Sequence, residues 1–185
     1  VAQSVFAGKQ GLRASSNDYD WLGDGIYFWE HNAQRAFDFA REMSRRPHPS
    51  GQKIRKPAVV GAIIDLGYCL NLLDSHFIEM VKTAHANLLA SFEAAEIQLP
   101  QNTGGRDRVN RKLDCAVIRS IHQSRKQHDQ PSFDTVRAAF VEGEPLYDNA
   151  GFAARSHIQI CVRNPRCIKG YFRPLDDAGR PIKFK

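Results

Sequence analysis

The sequence predicts a single α+β domain, and three observations carry that prediction. Its 185 residues are enough to bury one core without a disulfide or metal staple. Apolar residues recur at helical spacing in separate stretches, while short β-branched and aromatic runs lie between and after them. No repeat, low-complexity tract or long linker divides the chain, so residues 1–185 read as one domain.

Val1, Ala2, Val5 and Phe6 mark one face of an opening helix with no capping residue before it, so a further segment is expected upstream of Val1. That helix ends near Gly8 to Gly11. A polar loop, "RASSNDYD", leads into "DYDWLGDGIYFWE", where "GIYF" reads as a short buried strand. Asn32 is placed to cap a helix whose apolar face is Ala33, Ala36, Phe37, Ala40 and Met43, and Pro47, Pro49 and Gly51 end it. "AVVGAIID" and "YCLNLL" read as strands. Asp74 or Ser75 then caps the longest helix, with Phe77, Val81, Ala84, Leu88, Phe92 and Ala95 on one side.

Between Leu99 and Asn110, Pro100, Gly104 and Gly105 among charged residues predict a mobile loop. "DCAVIRSI" fits a strand or a buried helical turn equally, and "QSRKQHDQPS" has no clear assignment. In the last third "VRAAFVEG", "HIQICVR" and "CIKGYF" are strands, with "EPLYDNAGFAARS" a loop and Asn164-Pro165 a turn.

Composition narrows the function classes. The apolar runs are far too short to cross a bilayer. Cys69, Cys115, Cys161 and Cys167 form no C-x-x-C pair and sit among apolar neighbours, which points to a reducing, cytoplasmic setting and away from structural zinc. A net charge of +6 favours an anionic partner. Basic clusters at Arg45, Arg46, Lys53, Arg55 and Lys56 and at Arg106, Arg108, Arg111 and Lys112 could attract nucleic acid, but they lack interleaved aromatics and fit a solvated face as well.

Two blocks carry a resemblance. "SVFAGKQGLRASSNDYDWLGDGIYFWEHNAQRAFDFA" and "QICVRNPRCIKGYF" are similar, in order and spacing, to the nicotinamide-pocket region and the catalytic strand of ADP-ribosyltransferases of the poly(ADP-ribose) polymerase and diphtheria-toxin branch. The resemblance covers about a third of the chain. It implies two packed antiparallel sheets, a split β-sandwich with helices around a cleft for NAD. Tyr27 would stack on nicotinamide, with core packing as its alternative role, and Phe39 would form a second wall. Gly23 and Gly25 would let the backbone approach the dinucleotide, and Arg13 would hold its adenosine or phosphate end.

Two departures bear on activity. The family's His-Gly motif would lie before Val1. The position usually held by the catalytic glutamate is Gln159, which can hydrogen-bond but carries no charge, and Asn164 stands at a turn position often occupied by Asp. His157, on the same strand face as Gln159, could assist or replace it. Glu142, Glu144 and Tyr147 fall in the loop expected to read the acceptor, where solvated carboxylates are the alternative.

The resemblance therefore implies transfer of single ADP-ribose units from NAD, used as substrate and without a metal, to a protein or nucleic acid. The small size suggests a toxin-like or defence-related enzyme, for which an inhibitory antitoxin or immunity partner is expected. The competing expectations are a catalytically weak NAD- or nucleic-acid-binding module and an NAD glycohydrolase.

Overall fold

Asn32 shows how local sequence starts an element here: its side-chain Oδ1 accepts a 2.9 Å hydrogen bond from the Arg35 backbone N–H, satisfying a donor the first helical turn leaves open. Asp74 does the same for His76 N–H at 2.9 Å. The computed structural model describes residues 1–45, 54–176 and 178–182. In chain order its elements are α1 (Ala2–Phe6), β1 (Ile26–Trp29), α2 (Ala33–Arg45), β2 (Gly61–Ile64), β3 (Cys69–Asn71) and α3 (Ser75–Ala94). They continue with β4 (Asn102–Thr103), β5 (Asn110–Arg111), α4 (Lys112–Gln127), β6 (Thr135–Phe140), β7 (His157–Val162) and β8 (Ile168–Phe172), a single 3-10 turn at Pro165–Cys167 preceding β8. Pro47, Pro49, Gly51, Arg46 and Lys53 lie outside the described residues.

The architecture is α+β. The main sheet has the order β1-β7-β6-β3, and β2 and β8 form a separate antiparallel pair. One expectation is corrected: the main sheet is mixed, because β3 runs parallel to β6. Parallel neighbours need a long crossover, and the chain from β3 to β6 supplies one through α3 and α4. "DCAVIRSI" belongs to α4, where Cys115, Ile118 and Ile121 recur every third residue and are buried together with Val117. The segment around Gly104 and Gly105 is a small hairpin of β4 and β5.

Strand alternation divides the core. On one face Leu70, Val136, Ala138 and Cys161 pack beneath α4 residues Ile118 and Ile121, with Phe77, Met80, Val81 and Ala84 of α3 against them. On the other, Ile26, Phe28, Ile160 and Val162 pack against Ala62, Ile64, Ile168 and Tyr171 of the β2/β8 pair. Two helices and a two-stranded layer thus clamp the sheet from both faces, with β7 held between the edge strand β1 and β6. No helix among the described residues is long and apolar enough to cross a membrane.

Candidate active site

The antiparallel register of β1 and β7 sets Tyr27 opposite Cys161 and Trp29 opposite Gln159. All four side chains share one face of the sheet by the two-residue period of a strand. The Cys161 end of that face is covered. Tyr27 packs against the core there, donates its hydroxyl to Gly23 O at 2.7 Å and accepts from Leu22 N–H at 3.0 Å. Burial raises its pKa strongly, with Cys161 adding to the effect, and burial pushes the Cys161 thiol up to about 12.

Gly23 and Gly25 have reasons of their own to lack a side chain. Gly23 has φ +79°, and a Cβ there would meet Ile118 Cγ2 at 3.2 Å. At Gly25 a Cβ would come within 2.5 Å of Cys161 Sγ and 2.7 Å of Val162 O. The close approach that each glycine permits in this chain is to the protein's own core.

At the other end of the face a hydrogen-bonded chain runs through Gln159. Trp21 Nε1–H donates to Gln159 Oε1 at 2.7 Å, Gln159 Nε2 lies 2.9 Å from His157 Nε2, and His157 Nδ1 lies 2.7 Å from Arg155 O. The Arg155 carbonyl can only accept, so Nδ1 carries the proton. In the neutral ring Nε2 is then an acceptor, and the Gln159 amide donates to it. Every link has one consistent direction, and the indole N–H fixes which end of the Gln159 amide is oxygen.

Burial is the main force lowering the His157 pKa, with Arg35 and Arg111 adding to it against the Arg155 carbonyl and Glu142. That environment favours the neutral ring the chain requires. The imidazole is flanked by Phe140 at 5.2 Å and Trp29 at 6.2 Å between ring centres. Behind it Glu142 Oε2 lies 4.0 Å from Nδ1. Glu142 is buried and accepts two bonds from Arg35 Nη2, at 2.8 and 3.0 Å, while Arg155 approaches it at 3.6 Å.

No known family, curated protein or solved structure matches the chain. The site is therefore read from its own geometry. Trp29 also lines an open groove of about 1750 Å³ between α2 and the β2/β8 pair, together with Phe28, Phe39, Ala62 and Ile160. Phe39 is 39% exposed and packs against Trp29 with its ring tilted by 42° and ring centres 4.9 Å apart. The Trp29 indole Nε1 is buried and has no hydrogen-bond partner among the described residues. The Trp29 and Phe39 rings give the groove an aromatic wall against which a flat ring can pack.

The remaining expected site residues are dispersed. Arg13 is exposed and bonds to no described residue. Glu142 is not a solvated loop carboxylate, since Arg35 holds it inside. Glu144 is exposed and pairs with Arg106 at 3.1 Å, and Tyr147 is exposed. Asn164 Oδ1 caps the 3-10 turn, and its amide donates to Asp134 at 2.7 Å.

Three residues of the site were not singled out by sequence, Trp21, Trp29 and Arg35, and Arg111 stood out only as a member of a basic cluster. The Arg111 guanidinium lies 4.1 Å above the Phe140 ring and 4.8 Å from that of Trp21, and burial lowers its pKa. The aromatic density of "DYDWLGDGIYFWE" was the only signal that pointed toward Trp21. Nothing distinguished Arg35 from other basic residues.

Proposed function

We propose that this protein is a mono-ADP-ribosyltransferase that moves ADP-ribose from NAD to a macromolecular acceptor, in a toxin or defence setting. The observation that supports the reading most is the pairing of β1 with β7. It joins the two sequence blocks that resemble the transferases, separated by more than a hundred residues, and sets Trp29 beside Gln159. In this reading NAD binds at Trp29, which borders the groove and shares the sheet face of Gln159, while Gln159 itself does not line the groove. The bond between nicotinamide and ribose C1′ breaks with its electron pair leaving on nicotinamide, and the acceptor's nucleophile attacks C1′ of the cation-like sugar and releases its proton to solvent.

Gln159 would hold the ribose. Its Oε1 receives the Trp21 N–H and has a second lone pair free for a ribose hydroxyl, and its Nε2 has a second N–H beyond the one directed at His157. Lacking charge, the amide gives weaker bonds than a carboxylate, a difference of about 1 kcal/mol, or roughly tenfold in rate. A neutral amide is also a poor activator of a ribose hydroxyl on a growing polymer, so single units are expected.

A second reading has one observation in its favour: both ends of the Gln159 amide are already engaged. A binding module, of NAD or nucleic acid, would use such an amide for shape alone. Radiolabelled NAD incubated with the intact protein and cell lysate or total RNA separates the readings. Transfer to RNA or protein supports the transferase. Nicotinamide release without transfer indicates a glycohydrolase, and binding with no cleavage indicates the module.

A further inference from the structure

The small β4–β5 hairpin reaches both ends of the hydrogen-bonded chain that holds Gln159. At its base Asn102 lies directly across the ladder from Arg111. The Asn102 side-chain oxygen accepts the N–H groups of Leu113 and Asp114 at 3.0 and 3.3 Å, which caps α4 from outside the helix. Its amide donates to Asp114 Oδ1 at 2.8 Å, and the other Asp114 oxygen accepts from Arg111 Nη1 at 3.4 Å. These bonds hold the Arg111 guanidinium over Phe140 and Trp21. Phe140 meets Trp21 edge-on with ring centres 5.1 Å apart. The cation and the phenyl ring together fix the indole whose N–H reaches Gln159 Oε1.

Asp107, between β4 and β5, serves the opposite end. Its Oδ2 accepts the Gly143 N–H at 3.1 Å and lies 3.6 Å from Arg155 Nη2. Beside Gly143, the Glu142 carbonyl accepts the Arg155 N–H at 2.9 Å, and the Arg155 carbonyl is the acceptor for His157 Nδ1–H. The Arg111 and Asp107 side chains are 19% and 20% exposed, so water screens their contacts only in part. The neighbouring Arg106–Glu144 pair, 64% and 85% exposed, contributes little by comparison. Hydrogen bonds weaken steeply as a donor swings off line, so a small rotation of either anchor releases the amide. We propose that the β4–β5 hairpin positions the Gln159 amide, Arg111 holding the indole donor at one end and Asp107 the backbone that orients His157 at the other. Its consequence for catalysis rests on the transferase reading; the positioning itself does not.

The test uses the full chain labelled with nitrogen-15 and needs no NAD. The chain has two tryptophans, so Trp21→Phe assigns their indole N–H signals. In Arg111→Met the Trp21 indole N–H is expected to exchange with solvent about tenfold or more faster, with that of Trp29 unchanged. Arg111→Lys keeps the charge but not the flat fork, so it is expected to speed exchange to a smaller degree, and it serves if the methionine variant does not fold. In Asp107→Ala the His157 ring nitrogens are expected to report a mixture of both tautomers in place of the Nδ1–H form. Asp107→Asn, which keeps an oxygen for the Gly143 N–H, is expected to retain that form. Unchanged Trp21 exchange in both Arg111 variants, or an unchanged His157 tautomer in Asp107→Ala, would overturn the proposal. So would equal acceleration at Trp29, the sign of general loosening, or equal effects of Asp107→Ala and Asp107→Asn. In the transferase reading Arg111→Met and Asp107→Ala also lower kcat for NAD cleavage more than they raise KM. Both spectroscopic changes in a protein that never cleaves NAD would overturn that reading and support the positioning.

Discussion

The indole N–H of Trp21 donates to the side-chain oxygen of Gln159 at 2.7 Å, across 138 residues of sequence. This bond orients the amide at the centre of the candidate site, and the imidazole of His157 holds the amide's other end. Trp21→Phe keeps an aromatic ring against Phe140 but removes the donor. It is expected to cost about 1 kcal/mol in stability, within the range for one hydrogen bond, and to slow NAD cleavage. In a double-mutant cycle with Gln159→Ala the two losses should not add, because both act on one bond. Additive losses would show that Trp21 acts elsewhere.

The Arg35–Glu142 pair behaves differently. Both side chains are buried, and removing one leaves the other with only a longer contact, Glu142 with Arg155 at 3.6 Å or Arg35 with Glu42 at 3.8 Å. Glu142→Leu or Arg35→Met alone is expected to cost about 3–5 kcal/mol in urea unfolding, and the double substitution clearly less than the sum. The loop from Val141 to Arg155 should lose its placement with Glu142, visible as faster proteolysis there.

Gly25→Ala separates a structural glycine from a ligand-contacting one. The added Cβ would overlap Cys161 Sγ and the Val162 carbonyl, both held by the β1–β7 ladder. The melting temperature should fall by several degrees, reflecting a loss of about 1–3 kcal/mol for overpacking. A fold of unchanged stability that has lost only NAD affinity would return Gly25 to the dinucleotide.

Acid should destabilise the protein through its histidines. His122, with both ring nitrogens buried and unpaired, has its pKa lowered to about 3 by burial first and by Arg163 and Arg125 next. His157 is lowered in the same direction, with Glu142 opposing Arg35 and Arg111 around it. Between the unfolded value near 6.5 and the lower folded value, the unfolded chain binds more protons, so stability is complete above about pH 6.5 and falls as pH drops through that window. Activity should decline on the same side, since protonated His157 would point a donor at the Gln159 amide. Thermal melts from pH 8 to pH 4 check the first point, and His122→Leu should flatten the curve. A melting temperature that rises on acidification would contradict both assignments.

Elements driven by local chemistry were legible in the sequence. The Asn32 and Asp74 caps, the strand at Ile26–Trp29 and the turn at Asn164 all follow from residues within a few positions of one another. The ambiguous "DCAVIRSI" was short and apolar, and only its packing under the main sheet decides for helix. The parallel β3–β6 pairing was hidden because register depends on two crossover helices. Glu142 looked like a loop carboxylate because its partner, Arg35, is on a helix far back in the chain, and Gln159 gave no hint that Trp21 and His157 grip both ends of its amide. The site's floor was visible in sequence; the side chains that orient it are long-range.

The most direct measurement is nicotinamide release from NAD by the intact natural protein, compared with its Gln159→Ala and His157→Ala variants, each shown to be folded. We expect release by the natural protein, its loss in Gln159→Ala, and retention of NAD binding with equal or faster cleavage in Gln159→Glu. Full activity in Gln159→Ala, or no cleavage of NAD by the natural protein with any acceptor, would contradict an ADP-ribosyl transfer centred on Gln159.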